Sequence, residues 1–103
     1  MPGFSPDKGT IDISYKEVRL SIIWKSIDTG GCEIQGRITF RGKVVKASAT
    51  PEGSCRRSNI RSVISDLVAK TYDQSGIDEY TADLLRLTFR EIRHRLADDF
   101  GIT

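Results

Sequence analysis

The chain has 103 residues, of which 38% are hydrophobic and 29% are charged, and its formal net charge is +2. This length gives room for one modest hydrophobic core, and the composition excludes an intrinsically disordered chain. The sequence contains no apolar run of the roughly 18–20 residues that a membrane span requires, so we expect no membrane partner.

The N-terminal segment is predicted to be an arm rather than part of the domain. Residues 1–10 contain two prolines and two glycines, which disfavour regular structure. We therefore predict a flexible arm over residues 1–10 and a single α+β domain over residues 11–103. The arm lacks the basic-then-apolar order of a secretion signal, so we expect a cytoplasmic protein whose thiols stay reduced.

Alternating apolar residues after the arm predict strands. Odd positions are apolar from Ile11 to Tyr15 and even positions from Val18 to Trp24, so the parity changes near Lys16. We interpret the change as a bulge in one long bent strand, the alternative being two strands joined there. The sequence thus predicts an α+β fold, in which a three-stranded antiparallel meander, with room for an extra short N-terminal strand, precedes two helices packed on one sheet face.

A hairpin around Arg41-Gly42 organises the middle of the chain. Glycine in a two-residue loop supplies the positive φ that tight hairpins need, and this loop places Phe40 opposite Lys43. One face of the hairpin is then apolar, with Ile34, Ile38, Phe40, Val45, Ala47 and Ala49. The other face is polar and basic, with Gln35, Arg37, Thr39, Arg41, Val44, Lys46 and Ser48.

Residues able to support catalysis or bind a metal are few. The register places Cys32 opposite Pro51 and near Cys55, so the two thiols are expected to be neighbours that are able to bridge in an oxidising setting. Two cysteines and one histidine, His94, do not make a metal site, and no phosphate-binding loop is present. The tripeptide at 28–30 resembles the Asp-Thr-Gly signature of retroviral-type aspartic proteases, but it is also an ordinary hairpin loop. We expect no enzyme, no catalytic residue, no metal and no cofactor.

Two amphipathic helices are predicted after the hairpin. The first begins with Ser58 or Asn59 as its N-cap. Its apolar stripe consists of Ile60, Val63, Ile64, Leu67, Val68 and Tyr72. Asp78 is the predicted N-cap of the second helix, and Gly101 is predicted to end it.

The second helix has two apolar stripes. The first consists of Leu85, Phe89, Ile92, Leu96 and Phe100, and the second of Tyr80, Leu84 and Leu87. We expect one stripe to pack on the sheet and the other on the first helix, the alternative being that the second stripe is an interface for a homodimer or for another protein.

Charge is concentrated in the middle of the chain. Residues 32–61 contain seven basic and two acidic residues, whereas residues 62–103 contain five basic and eight acidic ones. A concentrated positive surface attracts anionic partners. A hairpin followed by Arg56-Arg57 and by Arg61 at a helix start resembles the second half of a double-stranded RNA-binding domain, which implies phosphate contacts by these residues. That family's opening helix and its Lys-Lys-x-x-Lys cluster are absent here. A three-stranded sheet followed by a helix also resembles the arm-binding domains of phage-type integrases.

These observations favour a small non-catalytic binding module, of the regulator or inhibitor type, that docks on a larger protein assembly, and the basic surface suits an acidic partner. The alternative is a nucleic-acid-binding protein that contacts phosphates. The residues expected to bind the partner or phosphate are Arg37, Arg41, Lys46, Arg56, Arg57 and Arg61. The helix interface is expected to comprise Tyr80, Leu84, Leu87, Arg86, Arg90 and Arg93.

Overall fold

The computed structural model describes residues 4–74 and 76–103, in which four strands precede two helices. The strands are β1 (Lys8–Tyr15), β2 (Val18–Ser26), β3 (Cys32–Phe40) and β4 (Lys43–Ala49), and the helices are α1 (Arg57–Tyr72) and α2 (Glu79–Phe100). The strands form one antiparallel sheet in the order β1-β2-β3-β4. The predicted α+β fold is confirmed, with the additional N-terminal strand present.

The interpretation of the N-terminal pattern as one long bent strand is wrong. Strands β1 and β2 form a hairpin in which Tyr15 lies opposite Val18 and Ile11 opposite Ile22. The chain reverses at Lys16, whose φ is 55°. Residues directly opposite each other share a sheet face, so odd positions of β1 face the same way as even positions of β2. The reversal therefore explains the parity change without a bulge.

Strand β1 begins within the segment that was predicted to be an arm. Trp24 lies opposite Gly9, and its indole Nε1 donates a hydrogen bond to the Ser5 carbonyl oxygen at 2.7 Å. The ring of Phe4 stacks on Trp24, with 5.4 Å between the ring centroids. These contacts place Phe4 and Ser5 against the sheet, to which residues 8–10 belong, and residues 1–3 lie outside the described residues. The flexibility of the arm, and the domain boundary at residue 11, stay predictions.

The predicted register of the second hairpin is confirmed. Phe40 pairs with Lys43 and Ile34 with Ala49, and both loop residues, Arg41 and Gly42, have positive φ. The sheet consequently has one face covered by the helices. The other is an open face, which carries the even-numbered residues of β1 and β4 and the odd-numbered residues of β2 and β3.

Helix α1 packs on β3 and β4, and it starts earlier than predicted. Its N-cap is Arg56, whose carbonyl oxygen accepts hydrogen bonds from the N–H groups of Asn59 and Ile60, and no side chain caps it. The predicted N-cap at Ser58 or Asn59 is therefore wrong, because helical hydrogen bonding has already begun at those positions. The predicted apolar stripe is confirmed, since its members are buried or half-buried.

Helix α2 packs against β1, and its predicted ends are confirmed. The Asp78 carboxylate accepts a hydrogen bond from the Thr81 N–H at 2.8 Å, and Gly101 adopts a left-handed C-cap. The expectation that both apolar stripes pack within the fold is wrong. Tyr80 is 77% exposed and Leu87 is 63% exposed. The reason is that Phe89, which belongs to the first stripe, makes the ring contact with Tyr72 of α1.

A disulfide joins Cys32, at the start of β3, to Cys55, just before α1. The predicted placement of Cys32 opposite Pro51 is confirmed by a 3.0 Å hydrogen bond from the Cys32 N–H to the Pro51 carbonyl oxygen. The expectation that the thiols stay reduced is wrong. The backbone pairing brings the two cysteines together inside the core, where both are buried.

Candidate functional site

The six basic residues predicted to bind a partner or phosphate lie in three separate places. Arg41, in the β3–β4 turn, donates two hydrogen bonds to the Glu17 carboxylate, at 3.2 and 3.1 Å. This hydrogen bonding holds the pKa of Glu17 below its usual value. Arg41 also donates to the Thr81 hydroxyl at 3.4 Å, so it fastens two turns to the start of α2. Three of its five N–H donors are therefore used within the fold.

The arginines around the start of α1 contact the end of the chain. Arg57 Nε donates to the Phe100 carbonyl oxygen at 3.0 Å, and Arg61 Nη1 donates to the Thr103 carbonyl oxygen at 2.9 Å. The last carbonyl groups of a helix lack partners within the helix, so Arg57 has a structural role at the end of α2. Arg56 is exposed beside them.

Arg37 and Lys46 lie together on the open face. They are directly opposite each other across β3 and β4, and both are exposed. Within the described residues, neither side chain takes part in a hydrogen bond or an ion pair. Of the six predicted residues, Arg37 and Lys46 are the two that lie directly opposite each other and remain exposed.

A shallow open groove of about 590 Å³ surrounds this pair. Its polar lining comprises Ser21, Gln35, Arg37, Lys46, Ser48 and Lys70. Lys70 belongs to α1, and its Nζ donates a hydrogen bond to the Lys46 backbone carbonyl oxygen at 2.8 Å. We call this the basic groove. Sequence reasoning missed Lys70, because its contact with β4 joins residues 24 positions apart in the chain.

The acidic residues of the open face are paired with other cations. Arg19 donates to the Asp12 carboxylate at 3.1 and 2.8 Å, and Lys25 lies 3.7 Å from Glu33. The hydrogen bonds from Arg19, assisted by the charges of Arg19 and Arg37, hold the pKa of Asp12 below its usual value. The lining of the basic groove therefore contains three cations and no carboxylate.

The second stripe of α2 forms a separate surface. Tyr80, Leu84 and Leu87 follow one another at spacings of four and three residues, which places them on one side of the helix. We call them the outer stripe. Leu84 is half-buried, and the other two are exposed.

The three arginines predicted beside the outer stripe have different surroundings. Arg86 is paired with Asp83, and the charges of Arg86 and Arg93 act on Tyr72 of α1. Burial raises the pKa of the Tyr72 hydroxyl, and these two charges oppose the increase. Arg86 and Arg93 are therefore close enough to α1 to influence its side chains. Arg90 is exposed.

The tripeptide at 28–30 and His94 lie on separate elements of the fold. No cluster of three or more histidine, cysteine, aspartate or glutamate residues suited to a metal occurs in residues 4–74 and 76–103. Asp28 and Thr29 lie in an exposed turn, which the Gly30 N–H closes by donating to the Ile27 carbonyl oxygen, and His94 is exposed on α2. Neither described helix is long and apolar enough to cross a membrane.

Comparison with known proteins adds no assignment, because no family model, curated protein or solved structure matches the chain.

Proposed function

We propose that this protein is a small non-catalytic binding module, of the regulator or inhibitor type, that docks on a larger protein through the outer stripe of α2. The observation that carries the proposal is the exposure of Tyr80 and Leu87, 77% and 63%, on a helix whose other stripe is buried. The buried stripe already anchors α2, so these two side chains are free to contact a partner.

The geometry of the outer stripe suits recognition of a helix by a groove. Such recognition uses apolar anchors at spacings of three, four and seven residues, and Tyr80, Leu84 and Leu87 have this spacing. Tyrosine is also enriched at protein interfaces. Arg90, three residues after Leu87, is exposed beside the stripe. The partner that fits this surface has an apolar groove with an acidic residue at its rim.

A matched pair of positions tests the proposal. Leu87 and Val44 are both exposed apolar residues, but Val44 lies on the open face of the sheet. A photo-crosslinking residue at position 87 of the full chain, expressed in its own cells, is expected to give one discrete product that position 44 does not give. With that partner purified, Leu87→Glu should weaken binding roughly 30-fold or more, as at an interface hot spot, whereas Val44→Glu should not.

Three outcomes would contradict the proposal. The first is the same set of crosslinked products from positions 87 and 44. The second is a loss of more than about 2 kcal/mol of unfolding free energy in Leu87→Glu, which would make Leu87 a core residue. The third is a crosslinked product that contains only this chain, with a matching dimer in light scattering, which would replace the larger partner with a homodimer.

A cytoplasmic location is part of the proposal. The disulfide between Cys32 and Cys55 is unusual for that compartment, where thiols are kept reduced. Burial of both cysteines supports its persistence there, because exchange requires a thiolate to reach one of the sulfur atoms.

A further inference from the structure

We propose that the basic groove on the open face is a second binding site, which takes phosphate groups of the backbone of double-stranded nucleic acid. This inference goes beyond docking through α2 and does not rest on it. The two surfaces use different elements, since the groove is built by β2, β3, β4 and Lys70 of α1.

The charges in the groove are only partly compensated within the fold, where Arg37 acts on Asp12, a carboxylate already hydrogen-bonded by Arg19, and Lys70 donates to a backbone carbonyl oxygen. Like charges directly opposite each other on neighbouring strands are destabilising, yet Arg37 faces Lys46 across β3 and β4. Lys70 adds a third positive charge at the edge of the same groove. No carboxylate lines the groove to compensate them. An anionic ligand would remove this repulsion.

The groove also offers neutral hydrogen-bond donors. The hydroxyl groups of Ser21 and Ser48 and the side-chain amide of Gln35 line it alongside the cations. Lys70 uses one of its three N–H donors on the Lys46 carbonyl oxygen, so two remain. Hydroxyl, amide and cationic donors are the groups that contact the phosphate oxygens of nucleic acid.

Two observations favour a duplex over the other anionic partners. None of the aromatic side chains in the described part of the chain lies on the open face, which lacks the stacking platform that single strands require. An acidic peptide would be held most strongly as an added strand along the β4 edge. Lys70 already occupies the Lys46 carbonyl oxygen in the middle of that edge.

The other arginines predicted to bind phosphate do not belong to this site. Arg41 is held by Glu17, and Arg57 and Arg61 are held by carbonyl groups near the end of the chain. Arg56 is exposed but lies at the N-cap of α1, outside the groove. Arg56 therefore provides a control that also tests the resemblance to a double-stranded RNA-binding domain.

The test compares two double variants with the same change of charge. Arg37→Gln with Lys46→Gln removes two of the three positive charges of the groove, and Arg56→Gln with Arg90→Gln removes two exposed charges elsewhere. Fluorescence anisotropy would be measured with one labelled sequence as duplex DNA, duplex RNA and single strand, and with a polyglutamate peptide. Each titration would be repeated over a range of salt concentrations.

We expect wild type to bind a duplex more tightly than the single strand or the peptide. The groove variant should bind at least about tenfold more weakly at roughly 50 mM salt, and its log–log salt slope should be smaller by about 2, for two lost phosphate contacts. The salt slope of the control variant should differ from the wild-type slope by less than about 1. Comparison of the titrations with duplex DNA and duplex RNA then shows which of the two supplies the phosphate groups. Leu87→Glu should bind the duplex as wild type does, which separates this proposal from docking through α2.

Several results would overturn the proposal. Absence of duplex binding at roughly 50 mM salt would remove it, because backbone contacts are strongest at low salt. Equal losses in the two double variants would show attraction by general charge, and a larger loss in the control would place the site at Arg56 or Arg90, outside the groove. Tighter binding of polyglutamate would identify an acidic protein as the partner, and tighter binding of the single strand would reject the duplex.

Discussion

Asp78 shows how one residue can both start a helix and make stability depend on pH. Hydrogen bonds from the side chain and the backbone N–H of Thr81 hold the pKa of Asp78 below its usual value of 3.8. A carboxyl group whose pKa is lower in the folded state stabilises the fold above its unfolded pKa. That contribution is lost as the pH falls through the folded pKa, which lies below 3.8.

We expect Asp78→Asn to reduce the acid sensitivity of the protein. Asparagine still accepts the N-cap hydrogen bond but does not titrate, so the variant should lose less unfolding free energy than wild type between about pH 6 and about pH 3. Denaturant unfolding at both pH values measures the difference. Asp98→Asn, with the same charge change near the other end of α2, is the control. An unchanged pH dependence in Asp78→Asn would show that this carboxylate does not contribute.

Prediction from sequence succeeded at residues whose role is local. The cap at Asp78 and the loop at Arg41-Gly42 depend on neighbours within a few residues, so the pattern alone determines them. It failed where partners come from distant parts of the chain. Arg57 contacts Phe100, and Lys70 contacts Lys46. The partners in each pair are too far apart in the chain for a local sequence pattern to indicate the contact.

The two edge strands of the sheet are protected in the same way. Arg95 of α2 donates to the Ser14 carbonyl oxygen of β1 at 3.2 Å, and Lys70 of α1 donates to the Lys46 carbonyl oxygen of β4 at 2.8 Å. Each helix therefore covers an outward carbonyl group of the strand that it flanks. Unpaired backbone groups at a sheet edge are templates for pairing with another chain, and charged side chains limit this.

We expect the double variant Lys70→Met with Arg95→Met to self-associate more strongly than wild type. Methionine retains apolar bulk but cannot donate to the edge carbonyl groups. The free energy of unfolding should fall by about 1 kcal/mol or less for each site, because the lost hydrogen bonds are exposed. Sedimentation at rising protein concentration, with denaturant unfolding beside it, measures both effects. A variant whose association state equals that of wild type would show that these side chains do not protect the edges.

At the scale of elements, the hydrophobic pattern predicted whether a segment is a helix or a strand better than it predicted how consecutive elements connect. The stripes of α1 and α2 and the register of β3 with β4 followed from spacing. The β1–β2 hairpin was missed because the turn at Lys16 and Glu17 contains no glycine, proline, asparagine or aspartate to mark it. The exposure of the outer stripe depends on how α1 and α2 lie on the sheet, which spacing within one helix does not determine.

The molecule as a whole has two layers, with both helices on one side of a four-stranded sheet. This arrangement separates the two proposed surfaces, since the outer stripe belongs to the helix layer and the basic groove belongs mainly to the open face. Gly36 contributes to the close packing of the layers. A Cβ at Gly36 would lie 2.7 Å from both Ile22 Cδ1 and Leu67 Cδ1. The groove therefore lies on strands that α1 packs against closely.

The disulfide joins the sheet to the segment that leads into the helix layer, and we expect it to be a major contribution to stability. Cys32 and Cys55 are separated by 23 residues, and closing a loop of this length in the unfolded chain stabilises the folded state by about 3 kcal/mol. Cys32→Ala with Cys55→Ala should lose this amount and a further amount for lost packing, because both cysteines are buried. Reduced wild type keeps both sulfur atoms in the core, so it should lose mainly the contribution from loop closure and little of the contribution from packing.

Denaturant unfolding of wild type, reduced wild type and the double alanine variant separates the two contributions, and thiol titration of the unfolded protein verifies each redox state. The link fastens the segment before α1 to β3, so its loss should loosen the start of α1 before it affects α2. Hydrogen exchange that becomes faster first in residues 57–61 would show this order. If reductant changes neither the unfolding free energy nor the exchange of that segment, the packing of α1 on β3 and β4 holds the layers together without the covalent bond.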